Sequence, residues 1–158
     1  MTEYAGTVHM TGRHVAIVAS RFNESVTRRL VEGALDALRK HGGASDQVDV
    51  VWVPGAWELP AATRALLATE RYDAIVALGA VIRGETPHFD FVAGEASRGL
   101  AEAGADFDVP IGFGLLTTNT LEQAEERAGG THGNKGWDAT LAALEMIDLV
   151  ERLRARES

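Results

Sequence analysis

The chain has 158 residues, a length that fits one domain built around one hydrophobic core. Its hydrophobic (46%) and charged (24%) fractions are typical of soluble globular proteins, and the net charge of −8 argues against partners such as nucleic acid or an anionic membrane. The absence of cysteine excludes disulfides, thiolate metal sites and a cysteine nucleophile. With no signal-peptide pattern and no apolar stretch of membrane-spanning length, we expect a soluble, cytoplasmic protein.

Predicted strands and helices alternate along the chain. Nearly continuous apolar runs predict buried strands at residues 14–19, 48–53, 74–78 and 111–116. Apolar periodicity and capping residues predict helices near residues 26–40, 59–68, 90–103, 120–128 and 137–155, with long connections at 79–88 and 129–136. This alternation predicts an α/β fold, a three-layer αβα sandwich of flavodoxin-like type with a four-stranded parallel sheet flanked by helices.

The predicted domain organisation is simple. Residues 13–158 form one domain without a linker or an internal repeat. Residues 1–12 form a lead-in segment that is too polar for the core, in which residues 7–10 are a candidate to pair with a sheet edge of the same or a neighbouring subunit.

Aromatic residues lie where three predicted strands end. In an open parallel sheet the carboxyl ends of the strands meet at one edge, and ligands bind there. Phe22 follows the first strand, Trp57 follows the second, and Phe113 lies in the fourth strand near the same edge. Each ring is by itself explained by packing in the core. Together they favour a stacking site for a flat heteroaromatic ligand with polar substituents.

Charged residues near that edge each allow two interpretations. Glu58 is either a ligand for the substrate or a cap for the helix that it precedes. His88 is either a proton carrier, since imidazole exchanges protons near neutral pH, or a solvent-facing loop residue. Arg127 and Lys135 are candidates to complete an anion site with the amides and hydroxyl of residues 84–86, although Arg127 also suits the end of a helix.

Common cofactor and metal motifs do not fit the spacing. Lys135 is not followed by Ser or Thr, so residues 130–136 are not a Walker loop, and residues 112–114 lack the third glycine of a dinucleotide fingerprint. Histidines and carboxylates never occur at the spacing of a metalloprotease or calcium-binding loop. The sequence therefore does not indicate a metal cofactor.

Five ordered strings, which together span nearly the whole chain, resemble one family. They are AIVASRFN at 16–23, VPGAWELP at 53–60, GAVIRGETPHFD at 79–90, GLLTTNTLEQA at 114–124, and RAG at 127–129 with NKG at 134–136. On these strings the chain resembles the 6,7-dimethyl-8-ribityllumazine synthases of riboflavin biosynthesis. The resemblance implies a transferase that condenses 5-amino-6-(D-ribitylamino)uracil with 3,4-dihydroxy-2-butanone 4-phosphate, releasing phosphate and water without a cofactor.

The resemblance also implies a role for each matching residue. His88 would be the catalytic proton carrier. The ribitylaminouracil would be bound by Phe22, Ala56, Trp57, Glu58, Ala80, Val81, Ile82, Phe113 and Lys135. The butanone phosphate would be bound by Glu85, Thr86 and Arg127.

Assembly is a further implication of the resemblance. Active sites would lie between the subunits of a homopentamer, with Phe113, Arg127 and Lys135 reaching across the interface. The compact loop at 129–136 matches the form that allows pentamers to build an icosahedral shell. The resemblance also suggests an association with riboflavin synthase. Two alternatives are a non-catalytic flavin- or lumazine-binding scaffold, which is suggested by the departure of Trp57 and Glu85 from the usual pattern, and a flavodoxin-like regulatory domain.

Overall fold

The computed structural model describes residues 1–157. The strands of the main sheet are β1 (Val15–Ser20), β2 (Val48–Val53), β3 (Ala74–Ile82) and β4 (Ile111–Thr118), and a small hairpin is formed by β5 (Ala128–Gly130) and β6 (Gly133–Asn134). The helices are α1 (Glu24–Lys40), α2 (Leu59–Leu67), α3 (His88–Phe107), α4 (Leu121–Glu126) and α5 (Lys135–Glu157), with short 3-10 turns at Ser45–Gln47 and Ala56–Glu58. No helix within residues 1–157 has the length and hydropathy needed to cross a membrane.

The main sheet is parallel, with strand order β2-β1-β3-β4. Strand β1 is buried along its whole length because helices cover both faces of the sheet. One core cluster joins residues of α1 and α5, such as Leu30 and Leu144, to one face, and a second joins residues of α2 and α3, such as Leu59 and Leu100, to the other. The flavodoxin-like three-layer prediction is confirmed.

Close backbone contact joins α5 to α1 at Gly136. A side chain at this position would place its Cβ only 2.0 Å from the carbonyl oxygen of Leu30, so only glycine fits. Asn134 reinforces the junction, because its side-chain amide donates to the carbonyl of Arg29 at 2.9 Å. This packing fixes where the first turn of α5, including Lys135, lies on the domain.

Two predicted connections are shorter than expected. Residues 79–82 continue β3 instead of starting a loop, because they pair in register with residues 115–118 of β4. Helix α3 begins at His88, earlier than predicted, and α5 begins at Lys135. His88 and Lys135 therefore lie in first turns of helices, where their backbone is fixed.

Of the two predicted pairings of the lead-in segment, the one within the chain is not found among residues 1–157, and pairing with a neighbouring subunit stays a prediction. Within the chain the segment does not pair with a sheet edge but lies against α5, where the Thr7 amide donates to the Asp148 carboxylate at 2.8 Å. Met10 is fully buried in the core, although its neighbours are polar, because the Met10 amide donates to the His41 carbonyl at 3.0 Å and holds the segment there. The domain boundary at residue 13 stays a prediction.

Candidate active site

A cleft of about 660 Å³ lies at the carboxyl ends of β1, β2 and β3. It contains eight of the residues predicted from the sequence: Phe22, Ala56, Trp57, Ala80, Val81, Ile82, Thr86 and His88. The lining is mainly apolar, with a few polar groups, as in sites that take a small organic ligand. Glu58 and Glu85 adjoin these residues in the chain but do not line the cleft.

Phe22 is presented by a tight turn between β1 and α1. The amide of Phe22 donates to the carbonyl of Pro54 at 3.0 Å, which ties this turn to the one after β2. Asn23 adopts a left-handed conformation, with φ of 60°, and its side-chain amide donates to the Ala80 carbonyl at 2.9 Å. The turn leaves the Phe22 ring 70% exposed, so its face is free for a flat ligand.

Trp57 stands on the 3-10 turn that leads into α2. Its side chain is 59% exposed, whereas its neighbour Ala56 is buried and forms the floor of the cleft. Glu58 is half-buried and makes no capping hydrogen bond with the amides of α2, so the interpretation of its carboxylate as a helix cap is not met. Two exposed aromatic rings and one small buried side chain thus line the cleft.

His88 begins α3 and faces the cleft with an exposed side chain. Among residues 1–157 no hydrogen bond or ion pair involves its ring. Asp90 does not orient it, because that carboxylate lies 3.5 Å from the guanidinium of Arg83. Asp138 does not orient it either, since Asp138 lines a different cavity. The His88 ring nitrogens are therefore available to a bound ligand.

Phe113, Arg127 and Lys135 lie away from this cleft in the same chain. The prediction that Phe113 lies near the carboxyl edge is wrong: it pairs with Ala77 in the first half of β4 and lines a separate groove against α3. Arg127 and Lys135 line another cavity, of about 440 Å³, beside the last residues of β4. Within one chain, the predicted site residues thus lie in or beside three separate cavities.

Three cleft residues were not predicted from the sequence. Phe89, Phe91 and Val92 line the cleft from the first turns of α3, and Phe91 is 67% exposed. Phe91 and Val92 follow His88 by three and four residues, the spacing that places side chains on one helix face. That signal was hidden because the helix was predicted to begin at Asp90. A third exposed aromatic ring therefore borders the cleft.

The side chains that line the cleft suit proton transfer and stacking. Within the described residues, no group of three or more His, Cys, Asp or Glu side chains is arranged to hold a metal ion. The polar side chains that line the cleft are Thr86 and His88, among apolar and aromatic residues. A three-layer domain with this cleft at the carboxyl edge of its sheet belongs to the flavodoxin-like α/β class of small-molecule-binding proteins.

Comparison with known proteins gives the family. Residues 12–151 match the family described as 6,7-dimethyl-8-ribityllumazine synthase. A 6,7-dimethyl-8-ribityllumazine synthase from Gemmatimonas aurantiaca is 65% identical over 152 residues, which cover 96% of this chain and 93% of the relative. One from Chlorobaculum tepidum is 51% identical over 148 residues, covering 94% and 96%. The chain belongs to the 6,7-dimethyl-8-ribityllumazine synthase family, whose members are transferases of riboflavin biosynthesis. Both relatives are named as the enzyme, and neither comparison supports a non-catalytic scaffold.

Proposed function

We propose that the chain condenses 5-amino-6-(D-ribitylamino)uracil with 3,4-dihydroxy-2-butanone 4-phosphate and releases phosphate and water. The observation that carries the proposal is the cleft that joins exposed aromatic rings to His88, in a chain of this family. Holding two small molecules together supplies much of the rate, because it replaces a bimolecular encounter by a reaction within one complex. The remaining steps are proton transfers.

The pyrimidine ring is assigned to the aromatic part of the cleft. Phe22 would stack on one face, while Ala56, Trp57 and Glu58 would hold the ring and the ribityl chain. The backbone of residues 80–82 would border the same ring. The exposed faces of Phe22 and Trp57 support this assignment, since a flat ligand covers both without any change in the core.

His88 is assigned the proton transfers. The 5-amino group of the pyrimidine attacks the carbonyl of the butanone and releases water to give an imine. Elimination then expels phosphate, and ring closure by the ribitylamino nitrogen releases a second water. Each step moves a proton to or from nitrogen, oxygen or carbon, and an imidazole without an internal partner can exchange those protons.

The phosphate is assigned to Thr86, the backbone of Glu85, and Arg127 of a neighbouring subunit. Thr86 lines the cleft, whereas Arg127 and Lys135 lie beside β4 of the same chain. A head-to-tail ring would bring the β4 side of one subunit to the cleft of the next, and Phe113, which is 43% exposed, would come with it. The separation of the predicted site residues within one chain supports such an assembly.

The size of the assembly is proposed from the family resemblance. The ring would be a homopentamer, and the compact β5-β6 hairpin would allow pentamers to join in an icosahedral shell. Association with riboflavin synthase and a cytoplasmic location stay predictions from the sequence. The mass in solution separates monomer, pentamer and shell, and a monomer that is fully active would contradict the shared site.

A His88→Ala variant tests the chemistry. We expect kcat to fall by about 100-fold or more, because a positioned proton carrier contributes on this scale. The rate is followed by the absorbance of the lumazine product with both substrates supplied. His14→Ala is the matched control, since His14 is exposed at the other end of the sheet and should leave the rate unchanged. An undiminished rate in His88→Ala would remove His88 from its role.

Mixing two inactive variants tests whether subunits share sites. His88→Ala subunits keep Arg127, and Arg127→Ala subunits keep His88, so a mixed ring contains some sites with both groups intact. In an equal mixture that reassembles at random, about one quarter of the interfaces pair an intact cleft with an intact arginine. Recovery of activity toward that fraction is expected. A mixture no more active than its two components would place Arg127 and His88 of one site in the same chain.

A further inference from the structure

Arg83 joins three elements at the mouth of the cleft. Its amide donates to the Thr118 carbonyl at 2.8 Å, and its Nε donates to Oδ1 of Asn119 at 3.0 Å, both in the segment that ends β4. Its guanidinium lies 4.4 Å from the centre of the Phe89 ring and 3.5 Å from the Asp90 carboxylate, both in the first turn of α3. Through its amide and its side chain, Arg83 thus links the ends of β3 and β4 to the start of α3.

The segment that follows Arg83 has little else to hold it. Residues 84–88 are exposed, and in the part of the chain that the structure describes none of their side chains makes a hydrogen bond or an ion pair. Gly84 has open space where a side chain would begin. The position of this segment therefore depends on its two ends, and Arg83 contacts both of them.

We propose that Arg83 is a positioning residue that holds His88 at the distance from Thr86 that the reaction requires. Phe89 and Asp90 adjoin His88 in the first turn of α3, so a stacking contact on one and an ion pair with the other fix where that turn begins. The planar guanidinium can stack, bond to Asn119 and face a carboxylate at the same time, and a lysine ammonium cannot. This inference rests on the proton-transfer role proposed for His88.

Arg83 acts through His88 and does not touch the reacting groups. It is not among the residues that line the cleft, and its guanidinium faces Asn119, Phe89 and Asp90. Misplacement of a catalytic group by about 1 Å can cost about 100-fold in rate. We therefore expect Arg83→Ala to lower kcat by about 10- to 100-fold. Because Phe22 and Trp57 are untouched, KM for the ribitylaminouracil should stay near its original value.

The experiment is a double-mutant cycle with Arg83→Ala and His88→Ala in the assembled enzyme. If Arg83 acts through His88, its removal has no further effect once His88 is gone, and the double variant is as slow as His88→Ala alone. Arg83→Lys should stay slow, because it restores the charge but not the planar contacts. Arg98→Ala is the matched control on α3: its guanidinium bonds only Glu95 and Glu102 among the described residues, and we expect the original rate.

Each outcome decides between the proposals. Losses that multiply in the double variant would show that Arg83 supports the fold in general, and would overturn its assignment as a positioning residue. A full rate in Arg83→Ala beside a slow His88→Ala would overturn the same assignment and leave the proposed function intact. A full rate in His88→Ala would overturn both. Full recovery by Arg83→Lys would show that charge alone suffices, which also contradicts positioning by the planar group.

Discussion

The two ends of the parallel sheet are built differently. At the amino end, the lead-in segment and the residue just before β1 are joined to α5 by charged and polar groups around Asp148, which is only 7% exposed. That carboxylate accepts hydrogen bonds from Thr7 and Arg152, and it also contacts Arg13 and His9. At the carboxyl end, three aromatic rings are more than half exposed, and the segment at 84–88 makes no side-chain hydrogen bond among the described residues.

The difference shows which end of the sheet contributes to the stability of the fold and which end is available to bind a ligand. Polar groups that are already paired and buried at the amino end hold the chain together but have little left to offer a ligand. Exposed rings and an unpaired imidazole contribute little to the folded state, and they gain their partners only when a substrate binds. Substitutions at the amino end should therefore change stability, and substitutions at the carboxyl end should change activity.

Met10→Ala should have the largest effect on stability. The side chain is fully buried in the core cluster of the α1 and α5 face, and its removal should lower the free energy of unfolding by about 2–5 kcal/mol. Denaturant unfolding measures the loss, with Met10→Leu as a near-isosteric control that should cost less than about 1.5 kcal/mol. The activity per folded enzyme should not change. A loss of activity without a loss of stability would break the division between the two ends.

Asp148→Asn should destabilise the protein in a way that depends on pH. The amide of Thr7 and the guanidinium of Arg152 stabilise the carboxylate, so the pKa of Asp148 lies well below its usual value. Because the folded pKa is lowered, the stabilisation is complete above the unfolded pKa of about 4 and is lost as the pH falls toward the folded value. Unfolding should therefore differ most between wild type and variant near neutral pH, and progressively less below pH ~4. A difference that does not change with pH would mean that shape, not charge, matters at Asp148.

The fold and much of the cleft could be predicted from the sequence, and the reasons are physical. Buried parallel strands are apolar on both faces, so β1 and the first part of β3 could be placed from their apolar runs. The run at 48–53 also marks a strand, but β2 lies at the sheet edge and only Val53 in it is buried, so the prediction of a buried strand is wrong there. The last residues of β3 could not be placed from the sequence, because Gly79 suggests a turn and only the pairing with β4 continues the strand. Met10 was missed because its burial depends on a backbone bond to His41, which no periodicity encodes.

Site residues that depend on other chain segments were harder to predict. Phe22 and Trp57 follow strands directly, so the rule for parallel sheets places them at the cleft. Phe113 lies within a strand, and its position along β4 depends on a register that the sequence does not display. Arg83 gives no signal of its own, since its contacts with Asn119 and Phe89 exist only in the folded chain.

Phe22→Ala should lower affinity without lowering stability. The ring is 70% exposed, so its removal should change the free energy of unfolding by no more than about 0.5 kcal/mol. Loss of one stacking contact, worth about 0.5–1.5 kcal/mol, should raise KM for the ribitylaminouracil by about 3- to 10-fold. Steady-state kinetics and denaturant unfolding of the same preparation measure both quantities. If the variant unfolds as easily as Met10→Ala, the ring is a packing residue and the two ends are not divided in this way.

Tyr72→Phe should give the smallest effect, at the amino end. The Tyr72 hydroxyl donates to the Asp49 carboxylate at 2.6 Å, and this bond raises the pKa of Tyr72 above its usual value. The pair is open to water, so its loss should cost about 0.5 kcal/mol near neutral pH. Because the folded pKa is raised, this stabilisation is complete below the unfolded pKa of about 10 and is lost as the pH rises through the folded value. Wild type and variant should thus unfold with a small, constant difference up to pH ~9 that shrinks above pH ~10, while their activities agree throughout. A change in activity at neutral pH would show that the amino end also acts on the cleft, across the full length of the sheet.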